Sequence, residues 1–374
     1  MKIPFNKPYL TGKESEYIQD AVALGKISGN GIYTNKCQVY FENKYNFSKC
    51  LLTTSCTDAL EMAAILADIK QGDEVIIPSF TFVSTAQAFI RQGATIVFAD
   101  SYAYNPNIDA EKIEPLITPQ TKAIVVVHYA GVACDMKKIM AIAAKYNLIV
   151  VEDAAQAIDS FYNDIALGSI GHMSTFSFHE TKNIISGEGG MLVVNDDRFI
   201  SRAEIIWEKG TNRAAFFRGE IDKYNWVDIG SSFLPSEIIA AFLWAQIENL
   251  EKIQLKRKTI WNMYFNKLKN WASSNNIELM HIPDFASNNA HMFYLICESN
   301  QQRQSIIKHL KSNQIMAVFH YISLHSSPFY ENKHDGRILE NSDKFTNRLL
   351  RLPLYVGLDI DRVVMKICEF GHNE

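Results

Sequence analysis

Between about residue 50 and residue 195, short apolar runs rich in β-branched residues alternate with longer amphipathic stretches, and this alternation constrains the fold more than any other feature. A strand covered on both faces needs no polar side, so it reads as a continuous Val/Ile/Leu run. Joining two such strands in parallel requires a crossover of about a dozen residues or more, usually a helix. The predicted strands are EVIIP (74–78), TIVFAD (95–100), AIVVVHY (123–129), LIVVED (148–153), STFSF (174–178) and GMLVVN (190–195). Between them, TDALEMAAILADI (57–69) and MKKIMAIAAKY (136–146) place apolar residues three and four apart, which predicts helices packed on the sheet. The expected class is a doubly wound α/β domain.

Beyond residue 235 the texture changes. The stretch 235–271 predicts one long helix or two with a bend, followed by strand-like HMFYLICE (291–298), helix-like QSIIKHLKS (304–312) and strand-like IMAVFHY (315–321). The expectation is a large α/β domain over 1–250 and a smaller C-terminal α/β domain over 251–374, a size at which chains usually split. A composition of 47% hydrophobic and 21% charged residues with net charge -4 is that of a soluble globular protein and gives no basic balance for nucleic acid. No apolar run approaches the roughly 20 residues that span a bilayer, and the start lacks a secretory pattern. Six scattered cysteines without a CxxC pair predict reduced thiols and a cytoplasmic protein.

Ligands of open α/β sheets bind beyond the carboxyl ends of the strands, so the residues ending each run carry the candidate chemistry. Thr54, Ser55, Cys56 and Thr57 precede a strong helix, whose unpaired amides and dipole suit a phosphate; a simple N-cap is the plainer alternative. Asp153 ends LIVVED, and a carboxylate there needs a cationic partner such as a pyridinium nitrogen, unless it caps the next helix or binds a metal. Glu152 should point to the opposite face. Lys182 lies in a polar loop before Gly187, Gly189 and Gly190; most lysines are surface charges, but an amine is what forms a Schiff base with an aldehyde. Ser177 stands five residues upstream, within reach of the same phosphate. After the strand EVIIP, Phe80 and Phe82 flank the site; Phe82 is the candidate to stack on a flat ring, though core packing is the commoner fate. His128 and His179, near strand ends, line the pocket or serve structure. The ten histidines show no HExxH spacing, and neither GxGxxG nor GxxxxGK[ST] occurs, which argues against zinc, dinucleotide and P-loop sites.

The order of these elements, together with IPFNKP, SGNGIYT, GDEVIIPSFTFVST, VVVHYAG, VEDAAQA, FSFHETKN, GEGG, FHYISLH and RLPLY, resembles the DegT/DnrJ/EryC1/StrS sugar aminotransferases from end to end. The resemblance implies a fold type I pyridoxal 5'-phosphate (PLP) transferase, with a mostly parallel seven-stranded sheet sandwiched by helices. It implies Lys182 for the Schiff base, Asp153 at the pyridine nitrogen, Gln156 near the ring, Cys56, Thr57 and Ser177 at the phosphate, and Phe82 stacked on the ring. It implies L-glutamate as donor and C4 of dTDP-4-keto-6-deoxy-D-glucose as acceptor, the product being dTDP-4-amino-4,6-dideoxy-D-galactose for a cell-surface polysaccharide. A homodimer is implied too, with Asn30 or Tyr33 near the partner's pocket. Where many members carry G-x-N-x-R-M, this chain reads GSSFLP, with Ser232 and Leu234 in place of the Asn and Arg. The competing expectations are a ketosugar dehydratase, whose relatives carry His where Lys182 stands, and a non-catalytic PLP-binding regulator.

Overall fold

The structure is a computed structural model that describes residues 2–370. Its helices are α1 (Glu14–Ala23), α2 (Ile32–Tyr45), α3 (Cys56–Leu66), α4 (Val83–Ile90), α5 (Met136–Tyr146), α6 (Asp197–Trp207), α7 (Arg213–Phe217), α8 (Glu237–Ile247), α9 (Leu250–Ser274), α10 (Asn300–Ser312), α11 (Glu340–Arg348) and α12 (Ile360–Cys368). Its strands are β1 (Lys49–Thr53), β2 (Glu74–Pro78), β3 (Thr95–Ala99), β4 (Thr121–Val127), β5 (Ile149–Asp153), β6 (Phe161–Tyr162), β7 (Ile165–Ala166), β8 (Met173–Ser177), β9 (Gly190–Val194), β10 (Glu278–Leu279), β11 (Phe293–Ile296) and β12 (Leu349–Leu352).

Seven strands form the main sheet in the order β1-β9-β8-β5-β4-β2-β3. The pairs among β2, β3, β4, β5 and β8 are parallel, whereas β9 runs antiparallel to both of its neighbours. The connection from β8 to β9 contains the polar Lys182 loop and no crossover helix, so the chain returns antiparallel. Alternation of side chains sends Ile124, Val126 and Val150 into a core shared with α2, α5 and α8, and Ala123, Val125 and Val151 into a second core shared with α3, α4 and α6. Both faces are thereby covered by helices, as an apolar parallel sheet requires. The arrangement is the mostly parallel, helix-sandwiched sheet expected of fold type I.

Two sequence expectations need correction, and the long stretch after residue 235 takes the second of its two expected forms. IMAVFHY is not a strand: it makes only isolated bridges, Ile315 with Ile3 and Val318 with Arg351, and the third strand of the smaller sheet β10-β11-β12 is the later Leu349–Leu352. The helix begun at Cys56 stops at Leu66, since Asp68 adopts a left-handed φ of 54°. The long stretch after residue 235 is two helices, α8 and α9, interrupted at Glu248 and Asn249. A third core joins α9, α10 and α12 to the smaller sheet and takes in Phe80 and Tyr129 from the loops above the main sheet.

Candidate active site

The carboxyl ends of β1, β5 and β8 share one edge with the start of β9, because Gly190 pairs with both Thr53 and Ser177. Above that edge α3 begins. Ser55 is its N-cap, its Oγ accepting from the Asp58 amide at 3.1 Å, so this hydroxyl serves the helix and not a ligand. The amides of Cys56 and Thr57 have no acceptor among the described residues, which leaves two donors at the positive end of the helix dipole. Thr57 Oγ1 lies 2.8 Å from Ser84 Oγ at the start of α4. A Cβ on Gly190 would overlap the backbone of Ser55 and Cys56, so only glycine lets β9 start so close beneath this seat.

Asp153 is 5% exposed at the end of β5. Its Oδ2 accepts from Thr85 Oγ1 at 2.7 Å and its Oδ1 from the Ala155 amide at 3.2 Å. Burial pushes its carboxyl above the ordinary range, outweighing these donors and the neighbouring charge of Lys182. Without a further cation the carboxylate is under-compensated. Glu152 points to the other face, accepting from His128 Nε2 at 2.8 Å and from the amides of Gly168, Ile170 and Gly171. His128 is fully buried in that pairing and does not line the site, while His179 Nδ1 is 2.9 Å from Thr181 within the lysine loop. Gln156 Oε1 accepts from the Ala130 amide at 2.6 Å and its Nε2 donates to Tyr321 at 3.4 Å.

The Lys182 loop is pinned on both sides. Its backbone amide donates to His179 O at 2.9 Å, and Asn183 donates to Gln254 Oε1 at 2.8 Å and Asn289 O at 2.9 Å, tying it to α9. Among the described residues the Lys182 ammonium has no hydrogen-bond or salt-bridge partner. Burial lowers its proton affinity; Cys56 and Asp153 oppose this and Arg351 adds to it, so these three groups act on the amine electrostatically. Such an amine is poised as a nucleophile. Ser177 is partly exposed and accepts from the His179 amide at 3.4 Å.

Phe80 is wholly buried in core, whereas Phe82 is 53% exposed and touches Tyr321 at 5.8 Å between ring centres. The sequence reading missed Thr85, Tyr321 and Arg351, although each lies inside or beside a stretch already singled out. A cavity of about 630 Å³ lies elsewhere: it is lined by Lys26, Asn30, Arg213, Phe217, Ser232 and Leu234, among others, and shares no lining residue with the cleft at Lys182. Tyr33 is buried and donates to Asp20 within its own chain, so of the two residues expected near a partner's pocket only Asn30 lines an open cavity.

A buried carboxylate in want of a cation, an amine of lowered proton affinity, a phosphate seat and an open aromatic share one sheet edge; together they define a site for an aromatic phosphate cofactor bearing an aldehyde. Thr175 of β8 pairs with Asp153 of β5 and its buried hydroxyl lies beside the Cys56 thiol, which joins the two sides of the site. The chain belongs to the DegT/DnrJ/EryC1/StrS aminotransferase family, which it matches over residues 8–369, and its cofactor is PLP. It is 32% identical to the GDP-perosamine synthase of Caulobacter vibrioides, covering 97% of this chain and 96% of that one. It is 30% identical to the spore coat polysaccharide biosynthesis protein SpsC of Bacillus subtilis, with 97% and 95% covered. Its fold superposes with a TM-score of 0.88 on the PLP form of a Streptococcus pneumoniae protein described as a sugar aminotransferase, 24% identical with 99% and 98% covered.

Proposed function

We propose that this sugar aminotransferase moves the amino group of L-glutamate to C4 of a nucleotide-linked 4-keto-6-deoxy sugar, dTDP-4-keto-6-deoxy-D-glucose, giving dTDP-4-amino-4,6-dideoxy-D-galactose for a cell-surface polysaccharide. The observation that carries the chemistry is the placement of Lys182 and Asp153 within electrostatic reach of each other at the sheet edge. Bound there, PLP supplies an electron sink for the bond broken at the donor's α-carbon. Lys182 would hold the cofactor through its aldehyde, and its amine, when free, would carry the proton from the donor's α-carbon. Asp153, oriented by Thr85 and the Ala155 amide, keeps the ring nitrogen protonated. Phe82 covers one ring face, Gln156 stands beside the ring, and the Cys56 and Thr57 amides with the Thr57 and Ser177 hydroxyls take the phosphate. Water would supply the ketone oxygen of the departing 2-oxoglutarate while the amino nitrogen stays with the cofactor, and the same residues would act in reverse on the sugar's ketone, whose oxygen leaves as water.

The stretch WEKGTNRAAFFRGEIDKYNWVDIGSS supports the dTDP acceptor through its resemblance to enzymes of that substrate, whereas the GDP-perosamine synthases among the relatives favour a GDP-linked one. Incubating the holoenzyme with L-glutamate and each nucleotide ketosugar, then assigning C4 by NMR, separates them. The dTDP sugar should turn over with an axial C4 amine. Lys182→Ala should abolish turnover and the holoenzyme's visible absorbance band together; retained transfer rejects the assignment. A dehydratase would release a deoxygenated sugar instead, and a regulator would leave glutamate unchanged. The working unit is a homodimer, within which each chain divides near residue 250 into a large and a small part.

A further inference from the structure

Asn183 follows Lys182 in the chain, is 4% exposed, and has both amide hydrogens and its oxygen engaged. Nδ2 donates to Gln254 Oε1 at 2.8 Å and to Asn289 O at 2.9 Å, while Oδ1 lies 2.8 Å from His291 Nδ1. The backbone carbonyl of Asn289 can only accept, so the Asn183 amide cannot be turned round. His291 Nδ1 must therefore carry the proton and donate it to Asn183. Burial, helped by the charges of Lys182, Arg351 and Arg257, holds this imidazole well below its usual range, so it is a neutral donor that adds no cation near Lys182.

His291 is itself fixed, just before β11. Its amide donates to Asn289 Oδ1 at 3.0 Å, and its carbonyl accepts from Arg257 Nη2 of α9 at 2.7 Å. Asn289 also donates to the carbonyls of Gln156 and Ile158, at 2.8 and 2.9 Å. The short segment 289–291 thus grips the lysine loop and the Gln156 stretch at once. Lys182 has no hydrogen-bond or salt-bridge partner among the described residues, so the direction of its side chain depends on where the loop backbone is held. His291 is 5% exposed, and an apolar residue in its place would leave Asn183 Oδ1 a buried acceptor without a donor.

We propose that His291, acting through Asn183, is a positioning residue for Lys182, holding the loop where the amine meets the cofactor's aldehyde. This rests on the assignment of Lys182 as the Schiff-base lysine above. PLP affinity, measured by equilibrium dialysis, should fall about 10- to 100-fold in His291→Leu, the range for stranding a buried hydrogen-bonding group, and the visible absorbance band should weaken with it. In a Lys182→Ala background the same substitution should change PLP affinity by less than about threefold, because no amine is left to position. His291→Asn, whose amide brings an N–H to the place of Nδ1, should bind PLP within about threefold of the wild-type chain. His291→Gln, whose amide overshoots that place, stands in if the Leu variant does not fold and should show the same loss. Equal losses in both backgrounds, an unaltered band and affinity in His291→Leu, or a His291→Asn protein as weak as His291→Leu overturns the proposal. A Lys182→Ala protein that keeps the visible band removes the lysine assignment itself, whereas loss of the band there with an unaltered His291→Leu removes the role of His291 alone.

Discussion

At the scale of the residue, the adjacent acids of β5 show how one backbone step separates chemistry from structure. Asp153 faces the site with two donors and a raised proton affinity, and Glu152 faces away into a closed set of donors. Burial pushes Glu152 up, but the His128 bond and the glycine amides outweigh it, leaving its carboxyl below the ordinary 4.5. A depressed carboxyl contributes stability above its unfolded value, and that stability is lost as pH falls through the folded value. Glu152→Gln should therefore lose about 1–3 kcal/mol at pH 7, since its amide cannot accept from every donor there. It should also unfold with less pH dependence below about 4.5; urea titrations at pH 7 and pH 4 that show the same loss would contradict this account. The opposite orientation of the two acids was legible from the period of two in the strand. Thr85 and Arg351 were not, because a helix residue becomes the carboxylate's donor, and a strand residue 198 positions further on becomes a neighbour, only through tertiary packing.

At the scale of the element, apolar runs were legible where burial on both faces left little choice, and MKKIMAIAAKY matches α5 end to end. The short KCLLT of β1 escaped notice because five residues after a polar turn carry little periodic signal, yet this strand delivers the chain to the phosphate seat. IMAVFHY misled for the reverse reason: it has strand composition, but its residues are spent on isolated bridges and on the site, where His320 and Tyr321 serve packing and binding rather than a ladder. The junction of β9 with α3 makes the tightest test of the seat. Gly190→Ala would force the Ser55–Cys56 backbone away from the strand, an overpacking that costs about 1–3 kcal/mol. Because the displaced amides are the proposed phosphate donors, PLP should dissociate more readily from this variant than from Ser55→Ala, which removes a cap but intrudes on nothing. Equal PLP affinities in equilibrium dialysis would place the phosphate elsewhere.

At the scale of the whole molecule, the surface carries the test of the proposed homodimer. Trp226 is 81% exposed and Phe217 69%, with Tyr224, Val227 and Ile229 beside them in sequence and also uncovered. Val22, Leu24, Ile27 and Ile32 are also exposed, around the first two helices. Lys26 and Asn30 from one stretch and Arg213 and Phe217 from the other line one cavity together. Exposed apolar side chains gathered on a surface suit an interaction, and a stable interface would need to cover roughly 1,000 Å² or more. The cavity is lined by Ser232 and Leu234, where the usual Asn and Arg of the family are replaced, and by Lys26, Lys209, Arg213 and Glu208; in the proposed homodimer a second copy would close it. Sedimentation should give a dimer for the wild-type chain. A double substitution, Trp226→Glu with Phe217→Glu, should shift it to monomer at micromolar concentration and lower turnover in parallel, since charges buried in an apolar contact are costly. A variant that remains dimeric places the interface on another face, and a monomer with full turnover shows that each copy holds a complete site.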